Sequence, residues 1–127
     1  MILPFTFSGI VKKNTGRGKK HGFPTANIDP PEKVADGIYF GYTSFEDKKL
    51  PSLIFVGAAI TFDDTQRFAE SYILDFHGDL YDKTLEFELL EYIREGRKFV
   101  SAEEMNMQIS EDERLARIYF SLPEKLP

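Results

Sequence analysis

The sequence predicts a mainly β fold, an antiparallel sheet closed into a small barrel with one amphipathic helix at its C-terminal end. Three observations carry this. Short segments rich in aromatic and β-branched residues alternate with turn signals over residues 5–99. The connections between them are mostly too short for the crossover helices that parallel strands need. Beyond Ser101 the apolar spacing changes from the period of a strand to that of a helix.

Taken in order, the strand segments are Phe5 to Lys12, Gly37 to Phe45, Leu53 to Phe62, Ala69 to Phe76 and Thr84 to Ile93, so five or six strands are expected. Pro30, Pro31 and Pro51 punctuate them, and the stretches Glu46-Asp47-Lys48-Lys49 and Phe76-His77-Gly78-Asp79 read as loops and turns. Phe55, Gly57 and Ala59 fall on one face, Leu85, Phe87, Leu89 and Ile93 on another, and such one-sided faces close on each other most simply as a barrel. Ser101 followed by Glu104 is a capping-box pattern. After it Ala102, Met105, Ile109, Ala116 and Tyr119 recur at helical spacing, which predicts a helix over about residues 102–120 lying against the barrel. Glu103, Glu111, Glu113, Arg114 and Arg117 are assigned to its solvated side.

The chain has 127 residues, about one domain's worth, and no linker or repeat divides it, so 1–127 is read as a single unit. Its 42% apolar content, with 12 Phe and 6 Tyr, suffices for a core. The absence of Cys excludes disulfides and cysteine nucleophiles, and two His far apart offer no local metal pair. No apolar run approaches the roughly 20 residues that span a bilayer, and the N-terminus lacks a basic n-region. A cytoplasmic, monomeric protein without membrane or nucleic-acid partners is expected, since the net charge of −5 disfavours polyanion binding by bulk charge. That charge is uneven, however. Lys12 to Gly22 holds five bases and no acid, leaving 11 bases against 21 acids, or −10, elsewhere.

This basic stretch carries the chemistry. In Gly16-Arg17-Gly18-Lys19-Lys20-His21-Gly22-Phe23-Pro24-Thr25-Ala26-Asn27 the glycines allow close approach of backbone N–H groups to a ligand, and the bases suit an anion such as a polyphosphate. The spacing matches neither G-x-x-x-x-G-K-S/T nor G-x-G-x-x-G, and composition alone leaves a flexible hairpin tip equally open. Thr25 and Asn27, two apart, point to one side of an extended segment and offer neutral oxygens to a Mg²⁺ that also binds phosphates. Turn and cap hydrogen bonding is their alternative role.

Gly9-Ile10-Val11-Lys12, Gly16-Arg17-Gly18, Gly22-Phe23-Pro24-Thr25-Ala26-Asn27-Ile28, Gly37-Ile38-Tyr39, Val56-Gly57 with Thr61-Phe62, Glu70 with Leu74-Asp75-Phe76, Gly78-Asp79-Leu80-Tyr81, Ile93-Arg94, Lys98-Phe99, Gln108-Ile109 and Asp112 resemble the bacterial and eukaryotic riboflavin kinases, in register over nearly the whole chain. The resemblance implies a compact six-stranded antiparallel Greek-key barrel with a C-terminal helix. It also implies transfer of the γ-phosphoryl group of ATP to the ribityl 5′-hydroxyl of riboflavin, giving FMN and ADP. By the same resemblance Gly16, Arg17, Gly18, Lys19, Lys20, Gly22 and Pro24 bind the ATP phosphates, and Thr25 and Asn27 hold Mg²⁺ or another divalent cation, with Asn27 also orienting the γ-phosphate. Phe99, Met105 and Ile109 are the expected flavin wall. Riboflavin and ATP are then the substrates. Relatives that make FAD carry an N-terminal adenylyltransferase domain, and FAD synthesis is not expected of this chain.

The sequence departs from the family pattern at the end of the last strand. Where the resemblance leads to R-x-E-x-x-F, with the Glu as general base, the chain reads Arg94-Glu95-Gly96-Arg97-Lys98-Phe99. Gly96 takes the Glu position, and Glu95 becomes the candidate base, displaced by one. Continued alternation would put Glu95 on the face of Leu85, Phe87 and Leu89, toward the barrel mouth; a surface acid paired with Arg97 or Lys98 is the alternative. Tyr72 stands where the family often has His, and either can pack and donate a hydrogen bond. Asp75, Asp79 and Asp82 read as a structural turn rather than a metal site, and Asp63-Asp64 as a solvated loop. A non-catalytic flavin or nucleotide binder on the same fold is the rival reading, motivated by Gly96. An oligonucleotide-binding barrel has only the basic loop and the aromatic content behind it.

Overall fold

A computed structural model describes residues 1–12, 25–58 and 66–124. Six antiparallel strands, β1 (Phe5–Ile10), β2 (Ala26–Ile28), β3 (Gly37–Phe45), β4 (Lys48–Ala58), β5 (Arg67–Ile73) and β6 (Thr84–Arg94), precede one helix, α1 (Ala102–Tyr119). The sheet order is β1-β6-β3-β4-β5-β2. The sheet curls so that its two edge strands meet, the Lys12 N–H donating to the Asn27 carbonyl at 3.0 Å. The expected barrel and helix are both present, as a curled, partly open barrel.

Strand limits differ from expectation where proline and charge misled. Pro51 and the 46–49 stretch suggested a loop before Leu53, yet β4 begins at Lys48, directly opposite Phe45. Only Glu46 and Asp47 turn, with Glu46 at φ 54°. Pro51 is tolerated because pairing with β5 starts one residue later, at Ser52 opposite Ile73. β5 ends at Ile73, before Phe76, because Leu74 donates instead to the Pro51 carbonyl at 3.0 Å and Asp75 takes φ 59°.

The apolar residues form two layers. Phe7, Ile28, Tyr39, Ile54, Val56, Leu85, Phe87 and Leu89 fill the inside of the curl. Ile38, Phe40, Leu53, Leu74 and Ala116 pack between the outer face and α1. Phe55 does share a face with Gly57, but it is this outer face, and Ile54 and Val56 supply the interior; Ala59 lies outside the described residues. Ile93 also leaves the face of Leu85, Phe87 and Leu89. Opposite β3 the β6 register skips Leu90 and then Ile93, two bulges of which the first inverts the alternation and the second restores it at Arg94. Glycine is required beside the first of them, since a Cβ on Gly41 would lie 2.3 Å from the Glu88 carbonyl oxygen.

At the start of α1 the Ser101 hydroxyl accepts from the Glu104 N–H at 3.1 Å, as the capping pattern predicts. The Glu104 carboxylate pairs with Arg97 instead of completing the box. The helix does not dock by an apolar stripe alone. Glu113 and Arg117, expected in solvent, are 4% and 5% exposed, whereas Ala102 and Tyr119 are exposed. Arg117 donates to Glu113 from Nε at 2.9 Å and reaches Asp75 through both terminal nitrogens. Asp75 therefore helps to hold the helix, and Asp79 accepts from the Tyr81 N–H within the turn at 2.9 Å. No helix among the described residues is long and apolar enough to cross a membrane.

Candidate functional site

One row of residues crosses five strands. Arg94 of β6 lies opposite Ile38, Ile38 opposite Phe55, Phe55 opposite Glu70, and Glu70 opposite Asn27. Residues directly opposite in a sheet share a face, and this is the outer face, on which α1 lies. The row thus gathers a carboxylate, a carboxamide and an aromatic ring from strands far apart in the chain.

At the β2 end Asn27 is 4% exposed, and its Oδ1 has no hydrogen-bond partner among the described residues. An unmet buried acceptor costs about 1–3 kcal/mol and calls for an explanation. The Thr25 hydroxyl approaches Glu70 Oε2 at 3.5 Å, the outer limit of a hydrogen bond. Thr25 and Asn27 thus converge on Glu70, and the orphaned Oδ1 has the chemistry of a ligand for a hard cation. The described flanks of the basic loop, Lys12 and Thr25, both lie beside Asn27. Gly16, Arg17, Gly18, Lys19, Lys20, Gly22 and Pro24 lie outside the described residues, as do Thr61, Phe62, Asp63 and Asp64.

At the β6 end Glu95 is exposed, and its carboxylate makes no ion pair among the described residues. The bulges at Leu90 and Ile93 cancel, leaving Arg94 on the outer face like Glu86 and Glu88, and β6 ends there, so Glu95 lies just beyond the strand. It does not pair with Arg97 either, which goes to Glu104 at 3.2 Å and Gln108 at 3.3 Å. Gly96 lies over Phe55, where a Cβ would sit 3.2 Å from the ring. Phe99 is half-buried beneath the Arg97 guanidinium, 5.1 Å from its ring centre, and Met105 and Ile109 are half-buried on α1. Phe120 contacts Tyr42 and Phe40, while Asp112 is level with Arg94 and Ile38. At 1.5 Å per residue the first ten residues of α1 therefore run about 15 Å past the row, away from Phe40 and Tyr42.

Polar bonds hold the helix over this face. The Tyr72 hydroxyl donates to Glu113 Oε1 at 2.9 Å, and burial and that bond push its pKa well above the ordinary phenol value. Tyr72 therefore keeps the hydrogen-bond donor that its position requires. The Arg117 guanidinium is held in its charged form, chiefly by its hydrogen bond to Asp75. Glu70 belongs to the family-like stretch that ends at Leu74-Asp75-Phe76, but nothing in the sequence says that β5 pairs with β2 and so brings it to Asn27.

The family model for flavokinase, or riboflavin kinase, matches residues 1–120. The chain belongs to the riboflavin kinase family. It is 35% identical over 98% of its length to a trifunctional protein RibF/MnmA of Mycoplasmoides gallisepticum, and 33% identical over 94% to the bifunctional riboflavin kinase/FMN adenylyltransferase of Escherichia coli. It spans 20% and 39% of those proteins. Among solved structures, one described as a macrolide-efflux protein from Streptococcus pneumoniae matches with a TM-score of 0.80 and 32% identity, over 90% of this chain and 38% of that one. The riboflavin kinase of Trypanosoma brucei matches with a TM-score of 0.66 and 21% identity, over 93% and 80%, and so shares the fold. The six-stranded barrel with its C-terminal helix is thus a riboflavin kinase fold, in line with the motifs around Gly22-Phe23-Pro24-Thr25-Ala26-Asn27.

Proposed function

We propose that this chain transfers the γ-phosphoryl group of ATP to the ribityl 5′-hydroxyl of riboflavin, and that Glu70 rather than Glu95 is the general base. The observation that carries this is the convergence of Thr25, the orphaned Oδ1 of Asn27 and the Glu70 carboxylate on one patch of the outer face. Family membership supports riboflavin and ATP as the substrates. The cluster supplies what phosphoryl transfer asks of a protein, which is mainly positioning and charge neutralisation.

In this reading Glu70 accepts the 5′-hydroxyl proton as the hydroxyl oxygen bonds to the γ-phosphorus and the bond to the β,γ-bridging oxygen breaks, releasing ADP. Thr25 and Asn27 would hold a divalent cation such as Mg²⁺, which when bound neutralises phosphate charge. Asn27 Oδ1 fits that role because it is a buried acceptor that meets no donor among the described residues. The loop of Gly16 to Pro24 enters as the phosphate cradle on its sequence and on the position of its flanks beside Asn27. Phe99, Met105 and Ile109, with Phe55 beneath Gly96, form the apolar side that a flat isoalloxazine ring requires.

Incubation with riboflavin, ATP and Mg²⁺, followed by chromatography for FMN, tests the proposal. FMN formation that needs all three components is expected. Binding of both substrates without FMN would point to a non-catalytic binder, and binding of neither would overturn the reading.

A further inference from the structure

Arg94, Asp112 and Gln108 form a joint between the end of β6, the segment 95–101 and α1. The Arg94 guanidinium grips Asp112 twice, Nη2 to Oδ2 at 2.6 Å and Nε to Oδ1 at 3.0 Å. Its Nη1 donates to the Glu95 carbonyl at 3.0 Å. Gln108 Nε2 donates to Asp112 Oδ1 at 3.0 Å, and Gln108 Oε1 accepts from Arg97 at 3.3 Å. Asp112 is 3% exposed, so its charge is tolerated there only because these donors meet it. The chain of bonds runs from the Glu95 backbone through Arg94, Asp112 and Gln108 to Arg97, whose guanidinium covers Phe99.

What this joint holds in place is the apolar wall, and these bonds run to Glu95, Arg97 and α1 rather than to Thr25 or Asn27. Gly96 rests on Phe55, one strand away from Glu70. Phe99, Met105 and Ile109 are carried by the segment and by the first half of α1, both of which the joint ties to β6. Thr25 and Asn27 belong to the β2 end, four strands away along the row. Moving the joint therefore displaces the acceptor side of the site and leaves the donor side where it is.

We propose that Asp112, acting through Arg94 and Gln108, is a positioning residue that sets the distance of the 95–109 wall from Phe55 and so the affinity for riboflavin, without a part in phosphoryl transfer itself. This rests on the function proposed above. Gln108→Ala removes one arm of the joint while Arg94 still neutralises Asp112, and Asp112→Asn keeps the shape but weakens the guanidinium pair. Riboflavin fluorescence quenching gives Kd, and steady-state FMN formation gives both KM values and kcat. Gln108→Ala is expected to raise the riboflavin Kd and KM about threefold to tenfold, the scale of one ordinary hydrogen bond, with kcat and the ATP KM within twofold. Asp112→Asn is expected to give a larger shift of the same kind; should it fail to fold, Gln108→Ala carries the test. An unchanged riboflavin Kd, a fall in kcat at constant riboflavin KM, or equal shifts in both KM values would overturn the proposal. Wild-type protein that binds no riboflavin would overturn this inference and the proposed function together. Wild-type binding with an unchanged Kd in Gln108→Ala would overturn the positioning role alone.

Discussion

Replacing Glu70 by Gln removes the proton acceptor and keeps the shape of the side chain. The carboxamide has nearly the shape of the carboxylate and keeps an oxygen for the Thr25 hydroxyl, 3.5 Å away in the native chain. Glu70 is only half-buried, so the expected change in stability is within about 0.5 kcal/mol. Catalysis should respond differently. Glu70 lies opposite Asn27 on the neighbouring strand, where opposed Cβ atoms stand about 4.5–5.5 Å apart, within reach of a hydroxyl bound at the phosphate. A positioned general base contributes roughly 10²–10⁴-fold, equivalent to about 2.7–5.4 kcal/mol of barrier. Glu70→Gln should therefore lower kcat by that factor at an unchanged urea midpoint. Glu95→Gln, at an exposed side chain with no ion pair among the described residues, should lower kcat less than about threefold. The assay is chromatographic FMN formation at saturating substrates, with urea unfolding of each variant. A Glu70→Gln enzyme within threefold of wild type, or a hundredfold loss in Glu95→Gln, would refute the assignment.

Arg117→Met leaves Glu113 buried without its strongest partner and should cost about 3–5 kcal/mol in urea unfolding; adding Glu113→Leu should recover most of that, because a buried ion pair replaced by apolar groups is often neutral. A single-variant loss under 1 kcal/mol would count against the network as a docking element. Tyr72 has a folded-state pKa raised by burial and by its bond to Glu113, so its contribution is complete below the unfolded value of about 10 and falls as pH rises through and beyond it. Tyr72→Phe should accordingly flatten the alkaline limb of a stability–pH curve by up to about 1.4 kcal/mol per pH unit above pH 10, and an unaltered limb would refute this. Ser101→Ala removes the N-cap acceptor and should cost about 0.5–2 kcal/mol, read by thermal unfolding followed through helical circular dichroism.

Elements that depend on local signals could be read in the sequence. β3 runs over Gly37–Phe45 and α1 over Ala102–Tyr119, close to the expected spans, because alternation, the Ser101 cap and helical spacing are properties of neighbouring residues. β2 is three residues long, too short for a pattern of its own, and exists because β5 is there to pair with it. The bulges at Leu90 and Ile93 have no signature in composition, yet they decide which way Glu91 and Tyr92 face. Charge suggests solvent for Glu113 and Arg117, although their four-residue spacing sets them on the stripe of Ala116; Tyr72 of β5, Asp75 just beyond it and the Pro123 carbonyl help to make burial there tolerable.

The sequence by itself determined the class of fold, the family, the basic glycine loop and the pairing of Thr25 with Asn27, since each is a local pattern or a motif of fixed spacing. The tertiary structure decided which carboxylate joins them. Glu70 and Asn27 are 43 positions apart in the chain and directly opposite in the sheet, whereas Glu95 lies beyond the end of β6, at the far end of the row. Strand register and bulges arise from pairing between distant segments, so the composition of the site depended on energies that no single stretch of sequence contains.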